Sequence, residues 1–477
     1  MHTTYIIFFF IILFPRLGFI FLFPETGGDY EIYTTVAKNI LNGCGVSLSD
    51  PLTNDCIPHF GGNHGPGYPF YISIIWSIFN YSDNAVRIIQ SIIYSGAGIY
   101  LLYSTYVFTK NKKIILYLLF ILALSPLLVA WPRYVQTETL AIAFTIFTLS
   151  ELLFSLSEKK VRVISIALAL TLATWIRLDN VFLTIPVAIC CFYIHGVKKG
   201  FLYGASIACL LSLSWGIWTL RNISVKLPSL IPTNLIMPDG SRSPVGYLNW
   251  TKTWITHEYE RPGALWGINR KNYLNISIPE YAYFSEKEKI KVNILLSDLK
   301  KLDQKPFPKH IDDEFKLLAK NKRENFPFKY WIENPIKRVY KMWANPFSSF
   351  GWPNEIPSVG LSHSERLVVA KGNFNILVHV IKKYPYRAIS KATNAFYKFS
   401  LMVLFLYSLF YIFIKNKKGA LNFLGLVSIS YLLARTTFFS LNGYFETRYL
   451  ATAIPFMEIL VAFCIYDRFN QKFKKSF

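Results

Sequence analysis

The sequence is poor in acidic residues, with 28 Asp and Glu against 51 Lys and Arg, which gives a formal net charge of +23. It contains no CxxC or HExxH pattern, so no motif predicts a zinc site. Internal repeats and low-complexity segments are also missing, which argues against a repeat array or a disordered chain. What the chain has in excess is apolar side chains: 52% of its residues are hydrophobic and 17% are aromatic.

Long apolar runs recur along the chain and predict an all-α polytopic membrane protein. A bilayer core is crossed by roughly 20 apolar residues in a helix, and backbone polar groups in lipid must be satisfied internally. The runs do not alternate as barrel strands do. The first run has no basic flank and no small-residue cleavage site, so we expect a retained span. About ten spans are predicted, near residues 5–23, 86–108, 114–131, 138–156, 163–176, 181–195, 201–220, 396–414, 419–435 and 449–466.

Much of the positive charge lies in short clusters between these runs. Short loops rich in Lys and Arg stay in the cytoplasm, so their position predicts the cytoplasmic side and argues against nucleic-acid binding. With the N-terminus inside, all of them fall on that side. The clusters are Lys110, Lys112 and Lys113; Lys159, Lys160 and Arg162; Lys198 and Lys199; Lys415, Lys417 and Lys418; and Lys472, Lys474 and Lys475.

This topology predicts three parts. Residues 1–221 form an N-terminal transmembrane module with a first outer loop at 24–65 and an interfacial helix at 66–80. Counting that helix as a span would move four basic clusters outside. Residues 222–395 form an extracytoplasmic mixed domain between spans seven and eight, and residues 396–477 form the C-terminal transmembrane helices.

Local signals refine the two outer regions. In the outer domain, Ser285 and Glu288 form a capping-box pattern at a helix start, a second helix is predicted over Asp312–Asn325, and residues 327–343 form an amphipathic segment. In the first outer loop, Cys44 and Cys56 are able to form a disulfide, but their spacing alone leaves this open.

Ionisable side chains gather on the predicted outer side, each at the end of a different span or in an adjoining loop. Charges near membrane depth are costly, so they pair or line a functional cavity. Several cations and a few carboxylates around one cavity provide the chemistry to hold a lipid phosphate and activate a hydroxyl. Arg16, in mid-span, is instead predicted to make a structural pair with another helix. The outer group is Asp29, His64, Arg133, Glu138, Arg177, Asp179, Arg221, Arg435, Glu446 and Arg448.

Short motifs in a fixed order give the chain a resemblance to the GT-C superfamily of polyprenyl-phosphate-sugar-dependent glycosyltransferases. The resemblance is to the branch with the aminoarabinose lipid A transferase, the protein O-mannosyltransferases and rhizobial lipopolysaccharide core transferases. Residues 235–325 carry no such motif, and the WWDYG motif of oligosaccharyltransferases is absent. The matching residues are Asp29, Tyr33 and Ala37; His64-Gly65-Pro66-Gly67-Tyr68-Pro69; Arg87 and Gln90; Ser125-Pro126, Tyr134 and Glu138; Trp175-Ile176-Arg177; Trp218-Thr219-Leu220-Arg221-Asn222; Glu333-Asn334-Pro335; and Glu446-Thr447-Arg448-Tyr449 with Pro455.

The resemblance implies a GT-C-like fold and a role for each matching polar residue. Asp29 would be the catalytic base that accepts the proton of the acceptor, and Glu138 would orient an arginine or the acceptor. His64 stands where relatives often carry Arg or Lys, so it offers no fixed charge to the phosphate. The donor-phosphate contacts would be Arg133, Arg177, Arg448 and His64, and the substrate cavity would be lined by Tyr33, Tyr68, Arg221 and Glu446.

The expected activity is therefore that of a hexosyl- or pentosyltransferase of the cell envelope or lipopolysaccharide. It would need no metal and no cofactor, only a polyprenyl-phosphate sugar, a glycolipid, glycan or protein acceptor, and the bilayer. The expected location is the inner, cytoplasmic membrane, with the active site on the periplasmic, extracytoplasmic face. The alternatives are a glycan polymerase or ligase and a lipid-linked-sugar transporter or flippase. Transporters usually carry midplane charges and related halves, whereas here the charges other than Arg16 gather at one face and no repeated halves are seen.

Overall fold

The computed structural model describes residues 2–49, 55–61, 65–227, 243–269, 272–303, 305–345, 351–353, 378, 381–383, 385–414, 419–443 and 446–474. Within these ranges nearly all regular structure is helical, and the strands form one small hairpin. The predicted all-α polytopic class is confirmed.

The N-terminal module is a helical bundle with a folded first outer loop. Its elements are α1 (His2–Leu22), α2 (Tyr30–Leu41), β1 (Ser47–Ser49), β2 (Cys56–Pro58), α3 (Gly67–Phe79), α4 (Asp83–Thr109), α5 (Lys112–Leu124), α6 (Glu138–Glu158), α7 (Val163–Ile176) and α8 (Thr184–Ser224). In the bundle, α4 packs against both α1 and α6. In the outer loop, β1 and β2 pair antiparallel, and a disulfide joins Cys44 to Cys56 with their Cα atoms 5.8 Å apart.

Helix α8 is two antiparallel arms rather than one long helix. Gly196 has φ 68°, a left-handed conformation that glycine adopts without a Cβ clash. The chain reverses direction after Gly196. This is shown by the rings of His195 and Tyr203, which stack with their centroids 4.5 Å apart. In a continuous helix, residues eight apart would be separated by about 12 Å. The two arms match the predicted spans 181–195 and 201–220.

The predicted span 114–131 is wrong at its outer end, because α5 stops at Leu124. Pro126 disfavours helical backbone at Ser125, the residue before it, and the chain continues through buried turns to Arg133. Only 13 residues are helical, about 20 Å at 1.5 Å per residue. The segment is therefore a short helix up to Leu124, followed by turn structure from Ser125 to Arg133.

Helix α3 occupies the segment that was predicted to be interfacial. It is 13 residues long, too short to cross a bilayer core of about 30 Å. Tyr68, Ile72 and Trp76 are buried, whereas Ile74 and Ile78 on the other face are exposed. The buried face packs against α2, so α3 fixes the helix that follows Asp29.

The outer domain has its own hydrophobic core, separate from that of the bundle. Its longer helices are α9 (Val245–Thr251), α11 (Glu286–Lys300), α12 (Lys309–Asn325) and α13 (Asn334–Ala344), with a short α10 (Gly267–Asn269) between the first two. The predicted cap is present, since the Ser285 hydroxyl accepts from the Glu288 amide at 3.2 Å. The predicted helix over 312–325 is also present and begins slightly earlier.

Three long helices close the chain: α14 (Pro385–Ile414), α15 (Ala420–Asn442) and α16 (Ile454–Lys474). The outer domain is fastened to α15 by Arg338 of α13. Its buried guanidinium donates to the carbonyl of Ser440 at 2.8 Å and to that of Ile255 at 2.8 Å. The domain therefore sits over the outer end of α15.

Seven described segments are long and apolar enough to cross a membrane: Thr3–Leu22, Asp83–Thr109, Glu138–Glu158, Leu178–Ser224, Ala388–Ile414, Leu421–Asn442 and Thr447–Arg468. The fourth contains both arms of α8. The shorter apolar helices are α3 and α7, and α5 has 13 residues, as α3 does. The seven segments, with α5 and α7, lie at the positions of the ten predicted spans. Arg16 follows its structural interpretation: it donates to the carbonyls of Ile12 and Leu122 at 2.6 and 2.7 Å and stacks on Tyr94.

Candidate active site

Asp29 lies between α1 and α2, directly before the first turn of α2. Its Oδ2 accepts a hydrogen bond from Nη2 of Arg448 at 2.7 Å. The side chain of Asp29 is 15% exposed and that of Arg448 is 16% exposed. The first outer loop and the segment before α16 are therefore joined by an ion pair that solvent or a ligand is able to reach.

Glu138 is the first residue of α6 and is 2% exposed. Its Oε1 accepts from Nη1 of Arg177 at 2.8 Å and lies 3.6 Å from Nη1 of Arg448. Arg448 thus stands between Asp29 and Glu138. The predicted convergence of acids and guanidiniums from separate helices is present for Asp29, Glu138, Arg177 and Arg448.

Arg177 is held at the outer end of α7 by several fixed partners. Besides Glu138, its guanidinium donates to the Thr137 hydroxyl at 3.0 Å and pairs with Asp179 at 3.2 Å. Asp179 in turn pairs with Arg435 at 2.6 Å, and Arg435 is fully buried. Charged groups from α6, α7 and α15 therefore form one continuous network beside Asp29.

Gly65, just before α3, and Gly67, its first residue, allow the chain at the start of α3 to approach α7 closely. A Cβ on Gly65 would lie 2.5 Å from the carbonyl oxygen of Trp175, and one on Gly67 would lie 2.8 Å from its carbonyl carbon. Any side chain there would push the two backbones apart. This contact brings residues 65–69 of the first motif next to the Trp175–Arg177 motif.

Tyr33 and Tyr68 meet edge to face next to the charged network, with ring centroids 5.2 Å apart. The Tyr68 hydroxyl donates to Gln90 at 3.3 Å. The Tyr33 hydroxyl is buried and has no hydrogen-bond partner among the described residues. Burial raises the pKa of Tyr33 well above its usual value, as do the nearby carboxylates of Asp29 and Glu138, although the arginines oppose this. Tyr33 is therefore a neutral phenol that faces the network.

Glu446 pairs with two arginines, Arg448 and Arg261. Burial acts to raise its pKa, but the two guanidiniums outweigh this and lower the pKa below its ordinary value. The neighbouring Thr447 amide donates to Glu258 at 2.9 Å. Both Arg261 and Glu258 come from the outer domain and were missed by sequence reasoning, because residues 235–325 carry no recognisable motif.

Arg133 and Arg221 donate to backbone carbonyls, not to the carboxylates of the charged network. Arg133 donates to the carbonyls of Phe23 and Gly351 at 3.0 and 3.1 Å and stacks on the ring of Tyr134. Arg221 donates to the carbonyl of His59 at 2.6 Å, so it ties the end of α8 to the first outer loop. Both arginines hold segments that border the network. Their predicted contacts with substrate stay predictions.

The predicted contact of His64 with phosphate lies outside the described residues. Within the described ranges, no three His, Cys, Asp or Glu side chains are grouped so as to hold a metal ion. The expectation of metal- and cofactor-independent chemistry stays a prediction.

The charged network lies at the helix ends opposite to the basic clusters. Glu138 begins α6 and Arg177 follows α7, whereas Lys159 and Arg162 lie between these helices at the other end. Lys198 and Lys199 likewise follow the turn between the arms of α8. Because Lys- and Arg-rich loops stay in the cytoplasm, this arrangement favours an extracytoplasmic position for the network.

Comparison with known proteins gives one family. Residues 63–218 match the family of dolichyl-phosphate-mannose-protein mannosyltransferases. Neither a curated protein nor a solved structure matches the chain. The matched segment contains Tyr68, Glu138 and Arg177, but Asp29 and Arg448 lie outside it. The match confirms the resemblance to the GT-C superfamily and indicates a membrane glycosyltransferase of the GT-C type.

Proposed function

We propose that this protein transfers a monosaccharide from a polyprenyl-phosphate donor to a hydroxyl group of an extracytoplasmic glycolipid, glycan or protein. The reaction would take place at the outer face of the cytoplasmic membrane, with Asp29 as general base. The donor would enter sideways from the lipid, with its phosphate bound by arginines. The outer domain would cover the site and contribute to selection of the acceptor.

The reaction is a direct displacement at the anomeric carbon. The acceptor oxygen attacks that carbon while its proton passes to the carboxylate of Asp29. The bond from the anomeric carbon to the phosphate oxygen breaks, and the lipid phosphate leaves with the electron pair. Attack opposite to the leaving group inverts the anomeric configuration.

The observation that carries this proposal is the position of Arg448 between Asp29 and Glu138, at 2.7 and 3.6 Å. A base for the acceptor and a cation for the leaving phosphate must both lie within one site, in reach of the same sugar. Preorganised donors of this kind contribute about 3 kcal/mol each to transition-state stabilisation. Partial exposure of Asp29 and Arg448 leaves the pair accessible, whereas Glu138 and Arg177 are buried behind it.

The proposal is tested by reconstitution with labelled polyprenyl-phosphate sugars and membrane glycolipids, comparing wild type with Asp29→Asn. We expect the variant to fold and to bind the donor but to transfer sugar about 10²- to 10⁴-fold more slowly, the usual contribution of a general base. Glu31→Gln is a matched control, because Glu31 is an exposed carboxylate two residues away, in the first turn of α2.

Full transfer by Asp29→Asn would remove Asp29 from the mechanism. A wild-type protein that moves the donor across the bilayer without forming a glycosidic product would instead indicate a flippase. The stereochemistry of the product, read by NMR, tests the predicted inversion separately.

A further inference from the structure

Two arginines from different parts of the chain share one carboxylate. Arg261 belongs to the outer domain, between α9 and α10, whereas Arg448 follows α15. The two oxygens of Glu446 are divided between them, Oε1 on Nη1 of Arg261 and Oε2 on Nε of Arg448. Two oxygens of a phosphate group would fit between these guanidiniums in the same way.

Arg448 is crowded by negative charge. Asp29 lies 2.7 Å from its guanidinium and Glu138 lies 3.6 Å away, and Glu446 is the third carboxylate. Like charges that converge on one site repel each other, so a further anion is able to bind only if one carboxylate withdraws. Glu446 is the most exposed of the three, at 26% against 15% for Asp29 and 2% for Glu138. It is the one that is able to leave.

Arg261 has capacity for a further ligand. Its Nε is buried and has no hydrogen-bond partner among the described residues, although the side chain as a whole is 23% exposed. A guanidinium offers five N–H donors, and a phosphate accepts more hydrogen bonds than a carboxylate does. The unused Nε–H therefore gives Arg261 the capacity to bind a further oxygen beyond the one that Glu446 provides.

We propose that Arg261 and Arg448 together bind the phosphate of the lipid-linked donor, and that Glu446 occupies this phosphate position until the donor displaces it. This inference rests on the proposed function and adds the outer domain to the donor site. A phosphodiester carries one negative charge, as Glu446 does, so the exchange leaves the charge of the site unchanged. When the sugar leaves, the phosphate gains a second charge, which the two guanidiniums stabilise.

The test measures binding of farnesyl phosphate to the full-length protein in nanodiscs, with farnesol as the probe without phosphate. We expect Arg261→Gln to weaken binding of farnesyl phosphate about 10- to 100-fold, as for loss of a charge-assisted donor, and to leave binding of farnesol unchanged. Lys320→Gln is the charge-matched control, because Lys320 is an exposed cation of the same domain. Unfolding temperatures identify any variant that fails to fold.

Glu446→Gln tests whether Glu446 competes with the phosphate for Arg261 and Arg448. With the competing charge removed, we expect farnesyl phosphate to bind several-fold more tightly than to wild type. Weaker binding by this variant would overturn the exchange, and unchanged binding by Arg261→Gln would overturn the two-arginine site. If wild type binds farnesyl phosphate through Arg261 but transfers no sugar, the proposed transferase function fails while this site stands. If wild type transfers sugar but Arg261→Gln binds farnesyl phosphate normally, the transferase function stands and the Arg261–Arg448 phosphate site fails.

Discussion

Two buried sets of charges in this protein differ in how completely their polar atoms are used. In the outer domain, Lys322 pairs with Glu288 at 2.8 Å, and the side chains are 4% and 7% exposed. Lys322 also donates to the carbonyl of Ala282 at 2.6 Å, and Glu288 accepts from the indole of Trp250 at 2.8 Å. Every partner of this pair is fixed in one hydrophobic core.

The charged network at the outer end of the bundle is built differently. Its carboxylates compete for shared arginines, Asp29 and Arg448 are partly exposed, and the hydroxyl of Tyr33 has no partner among the described residues. A saturated pair contributes to stability and specificity, whereas an unsaturated network keeps atoms available for a ligand. Burial of charge alone therefore does not identify an active site. What favours this network as the candidate site is the combination of shared arginines, partial exposure of Asp29 and Arg448, and an unused hydroxyl at Tyr33.

The largest effect is expected from Lys322→Met, which breaks the saturated pair. Glu288 would be left buried without its cation, at a cost of about 3–5 kcal/mol of unfolding free energy. Thermal unfolding of the full-length protein measures this as a lower melting temperature, while transfer per folded molecule stays unchanged. Lys320→Met on the same helix is the exposed control. An unaffected melting temperature would contradict the contrast between the two sets.

The second effect is expected from Glu138→Gln in the unsaturated network. The amide still accepts from Arg177 but no longer neutralises Arg177 and Arg448, so the arginines are oriented less well. We expect kcat/KM for transfer to fall about 10- to 100-fold, the range for a misplaced electrostatic group. The melting temperature should fall less than in Lys322→Met, because Arg177 keeps Asp179 as its anion. Glu151→Gln is the matched control, because Glu151 is equally buried in the other half of α6, away from the charged network. Equal losses in both variants would remove the special role of Glu138.

The smallest effect is expected from Tyr33→Phe. Its hydroxyl has no partner among the described residues to lose, so stability stays the same or rises slightly. If the hydroxyl contacts substrate, transfer falls by about tenfold or less, as for one neutral hydrogen bond. Tyr68→Phe sharpens this comparison, because it deprives Gln90 of a donor and costs about 1 kcal/mol of stability. A larger loss of stability in Tyr33→Phe than in Tyr68→Phe would contradict the assignment.

Hydropathy predicted most of the helical framework because apolar runs and basic clusters record the bilayer directly. It failed at α5, where one proline ends the helix inside an apolar run. The polar residues at the helix ends were also predictable as a group, since few charges are tolerated at that depth. Their pairing was not. Asp29 and Arg448 are 419 residues apart in sequence, and no local pattern distinguishes Arg448, which enters the network, from Arg133, which binds backbone carbonyls.

Arg261 shows the limit more sharply. It lies in a segment without apolar periodicity or motif, and only packing of the outer domain over α15 brings it to Glu446. Whether an arginine joins a site across a domain contact depends on the shape of both surfaces. A single sequence carries no local signal of that.

Because Gly65 and Gly67 have no side chains, the backbone distance between the start of α3 and Trp175 of α7 is short and fixed. No side-chain atoms lie between the two backbones at this contact. A displacement of the chain at Gly65 and Gly67 therefore moves the segment that carries Arg177 directly. An added methyl group would push α3, and Tyr68 with it, away from the chain that carries Arg177, while leaving every charge in place. Alignment of this centre is thus governed by a spacing of atoms that carry no charge and take no part in the reaction.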